Sequence, residues 1–368
     1  MRDDRLEKLA RLLVQYSTEV KPGDNVFVSG EKVTIPFIEA VAAEVVKAGG
    51  HVNCVVDLPE VNESILKFGS KPQLDHPNVG FGLCAAADVW ISAWGSSNLK
   101  QFSNIDPEIM RLRRLANKDH RKIYSDRMAS GELRWCGTMF PTQADAQEAE
   151  MSLREYEDFV YSAGLLHMDD PVAAWRKVES EQEKLVKFLD KKSVLRLLAD
   201  NTDITVGVKG RKWINCCGKV NFPDGEVFTS PVENEVNGFI SFTYPAIFGG
   251  RSVENVKLTV VDGKIVNESA SKGLDFLTSS LNTDPGARYF GEVAIGTNYG
   301  IPKFTRNILF DEKLGGTIHM AAGDSMGDAG GVNKSSLHWD MICDMHNGEI
   351  YADGELFYKN GKVIVDLE

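Results

Sequence analysis

Apolar residues in the first half of the chain recur at two alternating spacings. Leu6, Leu9, Leu12, Leu13 and Tyr16 fall three to four residues apart, which predicts an amphipathic helix. Pro22-Gly23-Asp24 then predicts a turn into the short apolar run at residues 25–28. Residues 35–48 (IPFIEAVAAEVVKA) read as a second helix, stopped by Gly49-Gly50. Residues 51–56 follow as a strand, residues 87–93 (ADVWISA) as a buried strand, and residues 107–117 as another helix. This strand–helix–strand rhythm predicts an α/β N-terminal domain with a mostly parallel sheet.

Residues 143–198 read as mainly helical, through QADAQEAEMSLREYEDFVYSAG and PVAAWRKVESEQEKLVKFLDKKSVLRLL. From Asp203 onward the texture changes to short β-type segments (ITVGVKG, KWINCCG, EVFTSP) punctuated by Gly, Asn and Asp. Asp262-Gly263 between two alternating runs predicts a hairpin. The change of texture places a boundary at 195–205. The expectation is a domain at 1–200 and a second at 201–368, an α+β domain rich in antiparallel strands that carries the chemistry. A length of 368 residues suits two domains.

Composition narrows the partners. The net charge of -12 disfavours phosphate backbones and anionic lipid. The one dense basic stretch, Arg111-Leu112-Arg113-Arg114 with Lys118, Arg121 and Lys122, has the spacing of a solvated helix face. No run of 18 apolar residues predicts a membrane helix, and the N-terminal residues mix both charge signs, unlike a secretory signal. Six scattered cysteines without a CxxC pair read as reduced, mostly buried thiols of a cytoplasmic protein.

The candidate chemistry lies in the second half. His338-Trp339-Asp340 places two ligand types at i and i+2, on one side of an extended segment, with Trp339 facing the other way. His319 ends the phrase DEKLGGTIH, in which Glu312 could orient it. Glu226 and Glu292 each stand in a Gly-Glu-Val phrase that opens a β-type segment. A carboxylate buried there needs a cation or a full set of donors. Together Glu226, Glu292, His319, His338 and Asp340 form an oxygen- and nitrogen-rich set without a thiolate. Five ligand candidates exceed what one open zinc site takes and suit two cations with a bridging carboxylate, for which Glu292 is the central candidate. Zinc, cobalt and manganese all accept such donors. Equally, His319 could sit in a strand core and His338 bond Asp340 locally.

Four phrases in order carry a resemblance: residues 221–231 (NFPDGEVFTSP), 291–298 (GEVAIGTN), 311–319 (DEKLGGTIH) and 333–342 (NKSSLHWDMI). The closing residues 353–361 (DGELFYKNG) add to them, and Pro22-Gly23-Asp24, Glu150-Met151-Ser152 and Tyr156 extend the likeness more weakly over the first half. The chain resembles the thermophilic aminopeptidase family of metallopeptidases, the aminopeptidase T and aminopeptidase S group. The resemblance implies a dinuclear centre in the C-terminal domain, held by Glu226, Glu292, His319, His338 and Asp340. It also implies short peptide substrates and a homodimer enclosing its active sites. One departure matters: the family phrase HxALGxSY ends on a tyrosine, where this chain has Met326. A thioether cannot donate a hydrogen bond.

The reading is therefore a metallo-aminopeptidase, with Glu226 and Glu292 as catalytic carboxylates and two divalent metal ions. Two rivals share the residues. A non-haem iron oxygenase would use His319, His338 and Asp340, although in those enzymes the order runs H-x-D and then a distant His. An inactive family-like scaffold would explain Met326 alone. A faint phosphate-loop likeness at residues 29–34 (SGEKVT) lacks the required spacing.

Overall fold

The computed structural model describes residues 3–78 and 81–367. The chain folds as two compact units, Met1–Ala174 with Gly218–Pro223, and Trp175–Cys217 with Asp224–Glu368.

In the first unit, the opening helix Asp4–Leu12 is capped by Asp3, whose carboxylate accepts from the Arg5 backbone N–H. It buries Leu6, Leu9, Ala10 and Leu12. After the turn at Gly23 the strand Asn25–Glu31 begins, and the helix Ile35–Lys47 returns to the strand His51–Asp57. Among the described residues the sheet runs His51–Asp57, Asn25–Glu31, Val89–Trp94, Arg134–Met139 and Asn221–Phe222, every pairing parallel. The α/β expectation thus matches, because each crossover carries a helix. The basic stretch lies on the helices Pro107–Ala116 and Lys118–Ala129, neither of which buries a residue.

The helical expectation for 143–198 matches as far as Leu189, through the helices Gln143–Glu148, Leu153–Ala163 and Pro171–Leu189. Residues Val194–Ala199 form a strand instead. There Leu195 and Leu197 are buried while Val194 and Arg196 are exposed, a period of two that the helix-forming sequence before it conceals. Packing also changes unit earlier than the texture does. The helix Pro171–Leu189 sends Leu185, Val186 and Leu189 into the core of the second unit, so the first long stretch of the first unit ends at Ala174 rather than near 200.

Among its described residues the second unit contains two large antiparallel sheets and a two-stranded one, Ala246–Phe248 with Arg251–Val253, around one apolar core. An eight-stranded sheet extends from Lys264–Ser269 at one edge to Lys362–Val363 at the other. Its hairpin turns at Asp262 and Gly263, with φ of 47° and 80°, as the Asp-Gly pair predicts. A five-stranded sheet runs His338–Asp344, Thr317–Gly323, Phe290–Gly296, Glu226–Thr229 and Ile214–Cys216.

Cys136, Cys217 and Cys343 are buried free thiols, Cys216 is half-buried and Cys54 exposed. The side chain of Cys84 lies outside the described ones. Among the described residues no helix is long and apolar enough to cross a membrane.

Candidate metal centre

The five-stranded sheet puts the candidate residues on one face. Across it Asp340 pairs with Ala321, and Ala321 with Glu292. Gly323 pairs with His338, Ala294 with His319, and Gly296 with Glu226. Residues in register share a face, so the large polar side chains alternate with Ala and Gly, which leave a hollow between them. The opposite face carries Val293, Ile295, Ile318, Met320, Trp339 and Met341 into the core. Trp339 stacks on Phe248 with ring centroids 5.2 Å apart.

Each glutamate follows a glycine for its own reason. Gly225 has φ of 127°, and a Cβ there would lie 2.7 Å from Asn298 Cβ. Gly291 sits at an irregularity in the ladder between Phe290 and Glu292, where a Cβ would lie 1.9 Å from the Asp324 carbonyl oxygen. Such a bulge re-aims the side chain beside it, here Glu292.

Both imidazoles are oriented by backbone. His319 Nδ1–H donates to the Glu312 carbonyl at 3.0 Å, and His338 Nδ1–H to the Asp324 carbonyl at 2.9 Å. A carbonyl can only accept, so each ring turns Nε2 into the hollow. His319 Nε2 lies 3.5 Å from Glu292 Oε1 and 3.6 Å from Glu226 Oε2. His338 Nε2 lies 3.4 Å from Glu292 Oε2 and 3.5 Å from Asp340 Oδ1. Glu292 therefore gives one oxygen to each histidine. His319 is 1% exposed, whereas the His338 side chain is 30% exposed, so the hollow opens on the His338 side.

Charge crowds this space. Burial opposes ionisation of Glu292, but the two imidazoles hold its carboxyl below the usual range. Burial likewise disfavours charged imidazoles, yet the carboxylates outweigh it and raise both His319 and His338. Burial pushes the Glu226 carboxyl up. Glu226 Oε2 is buried without a hydrogen-bond partner. Neutral Nε2 lone pairs facing carboxylates repel, so protons or cations must lie between them.

The donor set fits cations. Glu292, His338 and Asp340 offer atoms within 4.8 Å of one another, and so do Glu312, His319 and Asp340. The two groups share Asp340, and each supplies the three protein donors an open catalytic site uses. Glu226 belongs to neither; it groups with Asp224 and Cys216. All five residues singled out from the sequence converge here. Glu312 orients His319 through its carbonyl, while its carboxylate accepts from Lys313. His346, the third histidine of this half, is exposed and pairs with Asp344 outside the group. His51, His76 and His167 are exposed in the first unit.

Three residues of the site carry no signal in the sequence. Lys313 is fully buried beside Glu226 and Glu312, and Asp224 lies near it. Gln182, on the long helix, donates to the Glu226 carbonyl at 3.0 Å and accepts from Thr297 Oγ1. Lys313 lies inside the DEKLGGTIH phrase, but a lysine reads as surface. Met326, half-buried, bonds Ser230 through its backbone and brings no phenol.

Comparison with known proteins agrees over nearly the whole chain. The family described as "Thermophilic metalloprotease (M29)" matches residues 2–363. Aminopeptidase 2 of Geobacillus stearothermophilus is 25% identical over 99% of both chains. Aminopeptidase AmpS of Bacillus subtilis is 30% identical over 62% of each. The solved structure of wild-type AmpT from Thermus thermophilus superposes with a TM-score of 0.85 at 23% identity, covering 98% of this chain and 99% of that one, which establishes the shared fold.

Proposed function

This chain belongs to the thermophilic metalloprotease family M29, and on that premise we propose that it is an aminopeptidase releasing N-terminal residues from short peptides with two divalent cations. The observation that carries the reading is the pair of Nε2 atoms aimed at Glu292 from opposite sides, 3.5 and 3.4 Å from its two oxygens. The relatives named aminopeptidases support the substrate class.

Glu226, Glu292, His319, His338 and Asp340 would hold the cations, with Glu312 within reach of one of them. Zinc, cobalt or manganese bound there would polarise the scissile carbonyl and bring the pKa of a water toward neutrality. Glu292 would be the ligand shared between the two cations. Its orientation follows from the two histidines, which are fixed by separate carbonyls. Glu226, with Oε2 unpartnered, would serve as ligand and as carrier of the proton from water to the departing amine. His338 and Asp340 stand at the open side, where a peptide's free amino group would enter. Met326 in the family tyrosine's place would offer no hydrogen-bond donor there.

Three-donor iron chemistry is the weaker reading, since Glu226, Glu292 and Glu312 surround His319, His338 and Asp340 with further carboxylates. We also assign the chain to the cytoplasm, where its free thiols stay reduced, and to a homodimer. Purified protein loaded with zinc, cobalt or manganese should hydrolyse leucine-p-nitroanilide, lose activity to chelator and regain it with metal. No hydrolysis of any aminoacyl amide by protein holding two metal ions would refute the function. Light scattering on the eluting peak would test the dimer, and a monomer mass would remove it.

A further inference from the structure

Lys313 is 0% exposed, an unusual place for an ammonium, which is almost never fully buried unless paired. Its Nζ lies 3.3 Å from Glu226 Oε1 and 3.9 Å from Asp224 Oδ1, and it donates to Glu312 Oε1. The main chain around it is pinned as well. Lys313 N–H donates to the Phe310 carbonyl, and its own carbonyl accepts from Asn298 N–H at 2.9 Å. Asn298 Nδ2 in turn donates to the Asp224 carbonyl at 2.7 Å, two residues before Glu226. Ammonium and glutamate are therefore fixed to one frame.

The consequence is a divided carboxylate. Glu226 Oε1 is taken by Lys313, while Oε2 is buried, unpartnered and 3.6 Å from His319 Nε2. A free carboxylate could turn both oxygens to a cation, or rotate away. This one presents a single oxygen in a single direction.

We propose that Lys313 is a positioning residue of the centre: it holds Oε1 of Glu226 so that Oε2 alone faces the cations. This rests on the reading of the hollow as a two-cation site.

The test is cobalt binding by equilibrium dialysis, with the visible cobalt spectrum and thermal melting, on wild type, Lys313→Met and the charge-matched pair Lys313→Met with Asp224→Asn. Wild type should bind two cobalt ions. Both variants should bind one with near-wild-type affinity and the other about tenfold or more weakly, the range for loss of an orienting partner. The charge-matched pair covers the case in which the single variant fails to fold. In a Glu226→Gln background the same lysine substitution should change cobalt affinity by less than about twofold, because Lys313 acts through Glu226. Wild-type cobalt affinity at both sites in the charge-matched pair, or an equal loss with Glu226 already altered, would overturn the assignment. A wild-type protein that binds no second cobalt would overturn the two-cation reading beneath it, a separate result.

Discussion

At Glu292 the two carboxylate oxygens face different imidazoles, and each imidazole is locked by a carbonyl from another part of the chain, Glu312 for His319 and Asp324 for His338. Replacing that carboxylate by an amide keeps the shape and removes both the charge and the bridge. Glu292→Gln should therefore lower kcat/KM for leucine-p-nitroanilide by roughly a hundredfold to ten-thousandfold, the span of a lost acid–base or electrostatic group. Metal content should fall below two per chain. Glu226→Gln should cost catalysis with less loss of metal, since Glu226 stands outside both three-residue groups. Full activity in both variants would refute the assignment. Residue types alone pointed to all five candidates. They did not point to Lys313, because a lysine's charge is cheap on a surface and costly in a core, and only the fold brings three carboxylates to it.

Among the elements, the strand Phe290–Gly296 depends on its second residue. A methyl at Gly291 would lie 1.9 Å from the Asp324 carbonyl, the carbonyl that orients His338. Gly291→Ala should destabilise the protein by about 1–3 kcal/mol, as overpacking does, and weaken metal binding; urea unfolding and metal analysis would check both. The segment entering the strand His338–Asp344 is tied by Asp284, whose carboxylate accepts from the Ser336 N–H and hydroxyl and from the Ser335 hydroxyl. These bonds lower the Asp284 pKa from 3.8 to about 2. A depressed folded value means the contribution is complete above about pH 4 and is lost as pH falls toward 2. Asp284→Asn should thus be less stable than wild type at pH 7, and the gap should close toward pH 2 in urea titrations. A gap that stays constant across that range would exclude the linkage. The Asp-Gly hairpin and the His-x-Asp strand were legible in sequence because their signals are local. The strand Val194–Ala199 was not, since its two buried leucines follow directly on a helix and fit either period over so few residues.

For the whole molecule, the hollow belongs entirely to the second unit, drawing on strands from residue 226 to residue 340. Ligands that bind only the folded state stabilise it by mass action, about 2.7 kcal/mol at a hundredfold excess over Kd. Stripping metal with chelator should lower the melting temperature by several degrees, and cobalt should restore it in a concentration-dependent way. An unchanged melting temperature would count against a built cation site. Sequence by itself determined the fold class and the common side of His338 and Asp340. Periodicity and turn chemistry act over a few residues, and two ligands two apart on a strand must share a side. Only tertiary structure decided where the first unit ends, which carbonyls turn the two histidines, and that a buried lysine holds Glu226. Those depend on contacts between segments tens of residues apart, and no local pattern encodes the distance at which charges meet.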